Sequence, residues 1–141
     1  MAVLHTYLSF AGKTEEAFRF YQSVFGGELI ITRFSDTPQG EHLPAEERDL
    51  IMHIALPVGE NYLMATDMLA SAGHSVNKGN DMHMMLAAET QDEGERLVHA
   101  LAEGGTIVVP YEKAPWGDHF GMLTDRFGMS WMVNFNPNST K

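Results

Sequence analysis

Residues 3–27 read VLHTYLSFAGKTEEAFRFYQSVFGG, and the order of signals in that stretch decides the fold. Val3 to Phe10 is rich in β-branched and aromatic residues and short enough for a strand. Gly12 breaks it. Thr14 follows as a candidate N-cap, with Glu15 and Glu16 in a first turn where carboxylates favour the helix dipole. Ala17, Phe20, Tyr21 and Val24 recur at helical spacing, which predicts an amphipathic helix over residues 14–25. Gly26-Gly27 supplies the left-handed backbone that ends it. Outward from this stretch, Leu29 to Phe34 reads as a strand. Residues 35–48 are polar and carry Pro38, Gly40 and Pro44, which makes them a loop. Two further strands, Leu50 to Leu56 and Tyr62 to Thr66, complete a β-α-β-β-β order.

The second half repeats that order. After a linker over residues 69–80, Asp81 to Ala88 reads as a strand, and Thr90 opens a helix with Asp92 and Glu93 in its first turn. Leu97, Val98 and Leu101 form the apolar stripe, and Gly104-Gly105 stops it. Strands follow at Thr106 to Tyr111, Phe120 to Thr124 and Met129 to Phe135. A shift of 78 residues places Gly26-Gly27 on Gly104-Gly105, Leu8 on Leu86, Ile30 on Val108 and His5 on His83. Agreement in element order as well as register favours a duplication over chance. The expected domain is therefore one α+β unit of residues 1–141, built from tandem βαβββ modules over about 1–68 and 81–137.

Composition narrows the function classes. Nine Lys and Arg against 19 Asp and Glu give a formal charge of −10, which offers no footprint for a nucleic-acid backbone or an anionic membrane. With no cysteine, disulfide scaffolds, thiol nucleophiles and Cys-ligated zinc are excluded. The apolar runs are too short to span a bilayer, and Met-Ala-Val-Leu-His is not a signal-peptide start, so a cytoplasmic location is expected. No Walker loop, dinucleotide fingerprint, Gly-x-Ser-x-Gly elbow or His-Glu-x-x-His pair occurs.

Seven histidines and ten methionines stand out in so short a chain. His5, His53 and His83 fall on predicted strands. Alternation groups His5 with Tyr7 and Ser9, His53 with Ile51 and Ala55, and His83 with Met85 and Ala87. Were those faces to line one concave sheet, three imidazoles and an open position would form a catalytic type of divalent-metal site. Packing at strand ends explains each histidine equally simply. His119 lies in Trp116-Gly117-Asp118-His119-Phe120-Gly121, where aromatics bracketed by glycines suit either a loop over a pocket mouth or a plug at the end of the sheet. The methionines at 52, 82, 84, 85, 122, 129 and 132 read as core filling or, more sharply, as a pliable pocket. Copper binding through thioethers would need a local cluster that spacing alone does not supply.

These residues carry a resemblance. Tandem βαβββ modules resemble the vicinal-oxygen-chelate superfamily of glyoxalase I, bleomycin-resistance proteins and extradiol dioxygenases. The chain is most similar to its PhnB-like branch, often labelled demethylubiquinone-methyltransferase-like. The shared signatures are Tyr7 to Phe10, Glu16-Ala17 with Phe20-Tyr21, Phe25 to Gly27, His53 to Leu56 and Met64 to Asp67. The most specific is Trp116-Gly117…Gly121…Asp125…Phe127-Gly128…Trp131. The resemblance implies curved mixed sheets enclosing cavities, a homodimer and a small-molecule ligand. It also implies a candidate metal set of His5, His53 and His83 for zinc, nickel, iron, cobalt or manganese, serving lyase, isomerase or dioxygenase chemistry. The fourth glyoxalase ligand, a Glu, falls on Met132 or Trp131 here, which argues against lactoylglutathione lyase activity. Without a metal, the resemblance implies a binding or sequestering dimer of the bleomycin-resistance type. The candidate pocket comprises Tyr7, Trp116, His119, Phe120, Trp131 and Met132.

Overall fold

The computed structural model of the protein describes residues 1–138. Its elements run β1 (Thr6–Phe10), α1 (Thr14–Phe25), β2 (Ile30–Arg33), β3 (Ile51–Val58), β4 (Asn61–Asp67), β5 (Met84–Ala88), α2 (Gln91–Ala102), β6 (Thr106–Lys113), β7 (His119–Thr124) and β8 (Ser130–Phe135). The chain divides between Asn77 and Lys78 into two units, a break inside the expected linker. Each unit holds one four-stranded mixed sheet, ordered β1-β4-β3-β2 and β5-β8-β7-β6. The outer strand β1 runs parallel to β4, and β5 to β8; the remaining pairs are antiparallel. This is the α+β architecture of tandem βαβββ modules. No helix among the described residues is long and apolar enough to cross a membrane.

In the first unit α1 packs on β3 and β4. Phe10, Phe18, Tyr21, Ile54, Leu56 and Ala65 are buried between helix and sheet, with Phe18 edge-on to both Phe10 and Tyr21. In the second, α2 covers all four strands and buries Leu97, Val98 and Leu101 with Leu123, Trp131 and Val133. One face of each sheet is thereby closed by its helix, and the other is left without a covering helix of its own unit.

Thr6 and Met84, like Phe10 and Ala88, stand 78 residues apart, so β1 and β5 coincide under the expected shift. Leu63 and Trp131, the residues opposite Thr6 and Met84, are separated by only 68. The first unit therefore carries extra chain before β3, folded as short 3-10 turns at Phe34–Asp36, Pro38–His42 and Ala45–Glu47. Both opening strands begin later than the composition of Val3–His5 and Asp81–His83 predicts. Those residues lie before the first pairing, and Val3, Leu4 and Met82 remain exposed.

The helix ends also differ in detail from expectation. Thr14 is the first residue of α1, with Lys13 at the N-cap position, and its hydroxyl donates to Asp67 Oδ1 at 2.7 Å. At the other end, Gly26 adopts φ 75°, ψ −165°, a conformation essentially confined to glycine. Thr90 is an N-cap as expected, its Oγ1 accepting the Glu93 N–H at 3.0 Å.

Candidate functional site

The uncovered face of the first sheet follows from register. Leu63, Ala65 and Asp67 of β4 are buried on the helix side, so Tyr62, Met64 and Thr66 occupy the other. Pairing adds Tyr7 and Ser9 from β1, Ala55 from β3, and Ile30 from β2. A register slip between Thr32 and Arg33 sets Thr32 opposite His53 but Arg33 opposite Ile51. This bulge puts Ile51 in the core and leaves His53 on the open face, so the two do not share a face as simple alternation predicts.

Tyr7 and His53 meet across β4. The Tyr7 hydroxyl lies 3.2 Å from His53 Nδ1, and the rings stand 5.8 Å apart between centroids. Partial burial raises the Tyr7 pKa, which keeps the phenol protonated at neutral pH and able to donate. With the phenol donating to Nδ1, the neutral imidazole carries its proton on Nε2, a second donor. Ser9 and Thr66, paired in register, and Thr32 add hydroxyls to the same face.

His5 stands one residue before β1. Its Nδ1 accepts the Tyr62 N–H at 3.1 Å, and its ring meets Tyr62 edge-on. In the neutral ring the proton is then on Nε2, so neither nitrogen presents an uncommitted lone pair. His83 occupies the matching place, one residue before β5, and is exposed. Among the described residues, no group of three or more His, Asp or Glu is placed to hold a metal ion. As they stand, His5 and His53 are engaged in hydrogen bonds that a divalent ion would have to displace, and this donor set does not fit a resident metal.

The second sheet's open face has a different chemistry. Met85, Met132 and Met122 lie directly opposite one another on β5, β8 and β7, with Val109 of β6 next in line. The neighbouring row is Ala87, Asn134 and Phe120. Asn134 donates to Asp118 Oδ2 at 3.0 Å, and Trp116, 66% exposed, leans on Phe120 with centroids 6.0 Å apart. Of the expected pocket residues, Tyr7, Trp116, Phe120 and Met132 thus lie outside the helix-packed cores.

Trp131 and His119 do not. Trp131 is 2% exposed in the core, its Nε1–H donating to Asp125 Oδ2 at 2.9 Å, which leaves it no surface for a ligand. His119 points to the opposite side from Phe120 and sits between the rings of Tyr111 and Phe135. His119 opens β7, and alternation along that strand separates it from Phe120. Among the described residues, its Nδ1 is the buried side-chain atom without a hydrogen-bond partner. The features missed from sequence alone were the hydroxyls flanking His53 and the methionine row, both products of cross-strand register.

The sequence model of the 3-demethylubiquinone-9 3-methyltransferase family matches residues 2–134. The fold is similar to the crystal structure of PA1353 from Pseudomonas aeruginosa: 38% identity over 96% of this chain and 98% of that one, with TM-score 0.84. It is also similar to a putative 3-demethylubiquinone-9 3-methyltransferase, PhnB protein, from Bacillus cereus. That structure gives 29% identity, TM-score 0.77, and coverage of 96% and 100%. A glyoxalase/bleomycin resistance protein/dioxygenase family enzyme from Burkholderia phytofirmans shares the fold at 18% identity and TM-score 0.64, over 93% and 95%. A likeness of fold does not choose a reaction. With duplicated βαβββ sheets, the matching family model and the Bacillus cereus relative in agreement, the chain belongs to the PhnB-like 3-demethylubiquinone-9 3-methyltransferase family.

Proposed function

We propose that the protein binds a small oxygen-bearing organic molecule on the open face of its first sheet, without a metal. The Tyr7–His53 pair carries this reading: two polar side chains bonded at 3.2 Å across β4, on a face that no helix of its unit covers. The imidazole Nε2–H can donate to a carbonyl, carboxylate or phenolate oxygen and the phenol oxygen can accept from a ligand hydroxyl, while Met64 and Ile30 offer apolar contact. A panel of hydroxy acids, keto acids and catechols, followed by thermal shift and by ¹H–¹⁵N spectra of His53, tests it. At least one class should stabilise the native chain and lose that effect in Tyr7→Phe and His53→Gln. Binding that survives both substitutions, or no binding at all, sinks the proposal.

The functional unit in this proposal is a homodimer. Its support is β6, an edge strand exposing Ile107, Val108 and Val109, the kind of unpaired apolar edge that invites a partner.

A further inference from the structure

We propose that the methionine row of the second sheet, Met85–Met132–Met122, is a binding site for a soft monovalent cation of the Cu(I) type. The three residues are consecutive neighbours across β5, β8 and β7, all on the face away from α2. Cross-strand neighbours stand about 4.5–5.5 Å apart, and three rotatable bonds let each thioether swing toward the central residue. The outer sulphurs can thus converge over Met132.

Core filling does not account for the row. Met85 is 59% exposed, and filler has no reason to stand in solvent. The first unit provides an internal comparison, because its equivalent row is Tyr7, Met64 and Ala55, with one thioether in place of three. The duplicated sheets have the same geometry at this position and different chemistry.

The donor set also selects the ion. Thioethers are soft, uncharged ligands that favour Cu(I), whereas calcium and magnesium demand oxygen. Three neutral ligands offset the desolvation of one charge more readily than of two. The residues flanking the row on this face are Ala87, Asn134, Phe120 and Val109, with Glu112 of β6 one row away opposite Phe120 and His83 preceding Met85 by two residues. The one nearby carboxylate that binds Asn134, Asp118, is already engaged.

Silver(I) is the redox-inert probe. Tag-free full-length protein is titrated with silver nitrate in chloride-free buffer at pH 5, more than one unit below the ordinary histidine pKa of about 6.5, so that imidazoles are protonated. Native mass spectrometry and Met methyl ¹H–¹³C spectra read the result, and anaerobic competition against bicinchoninate repeats it with Cu(I). One ion per chain is expected, with shifts confined to Met85, Met122 and Met132. Each of Met85→Leu, Met122→Leu and Met132→Leu should weaken binding about tenfold or more, the scale that even outer-shell losses reach, and the triple variant should abolish it. Met→Leu conserves volume and apolarity, so the fold is retained, and Met64→Leu should leave silver binding unchanged. No saturable binding, binding that survives in the triple variant, or an equal loss in Met64→Leu overturns the proposal.

Discussion

Asp67 shows how one side chain fixes the first unit. It is 3% exposed; Oδ1 accepts the Gly12 and Thr14 N–H groups and the Thr14 hydroxyl, and Oδ2 accepts the Ile51 N–H at 2.9 Å. Asp67→Asn would turn an amide NH₂ toward one of those buried donors, at an expected loss of about 3 kcal/mol in urea unfolding. Asp125 plays a comparable part in the second unit, gathering the Phe127 and Met129 N–H groups and the Trp131 indole. The Asp125 to Trp131 part of the most specific family signature therefore builds a turn and a core. At the surface, two Arg33 hydrogen bonds at 2.8 and 3.0 Å hold the Glu15 carboxyl below its ordinary pKa. A lowered folded-state pKa contributes stability above the ordinary carboxylate range, and that stability is lost as pH falls through the lowered value. Glu15→Gln should therefore cost less than about 1 kcal/mol at pH 7, given solvent screening, and nothing at low pH. Chemical denaturation of both forms from pH 7 to pH 2.5 checks the sign.

Among the elements, the helix-ending glycine pairs look alike in sequence and do different work. Gly26 and Gly27 both have positive φ, as does Gly104, whereas Gly105 is required for space. A Cβ on Gly105 would come within 2.2 Å of the Thr124 carbonyl oxygen and 2.8 Å of the Asp125 carbonyl carbon. Backbone cannot step aside as a side chain does. Gly105→Ala should destabilise by about 2 kcal/mol or more, with the loss of amide protection centred on β6 and β7 in hydrogen exchange. Gly12→Ala, at φ 84° with open space around it, should cost only the backbone strain of about 1 kcal/mol. The strands were legible because composition and alternation report burial on one face. The bulge that separates Ile51 from His53 was not, because one extra residue in a strand leaves no local mark on composition.

For the whole molecule, the exposed apolar edge of β6 carries the prediction. Val108 is 56% exposed on that strand, so Val108→Lys should keep the circular-dichroism spectrum of the fold while shifting a dimer to monomer in sedimentation velocity. An unchanged mass would remove β6 from the interface.

By itself the sequence determined the repeated element order, the two helices and the matched histidines, since each depends on residues near one another in the chain. The 78-residue shift marked the duplication through β1, α1 and β2, and the structure shows it broken before β3 by the extra turns of residues 34–47. Tertiary structure alone decided which side chains meet. Tyr7 reaches His53 only because β4 inserts between β1 and β3. The methionines at 85, 132 and 122 become neighbours only because β8 inserts between β5 and β7. The physical reason is that cross-strand neighbours are chosen by hydrogen-bond register, a long-range relation that composition along the chain does not encode.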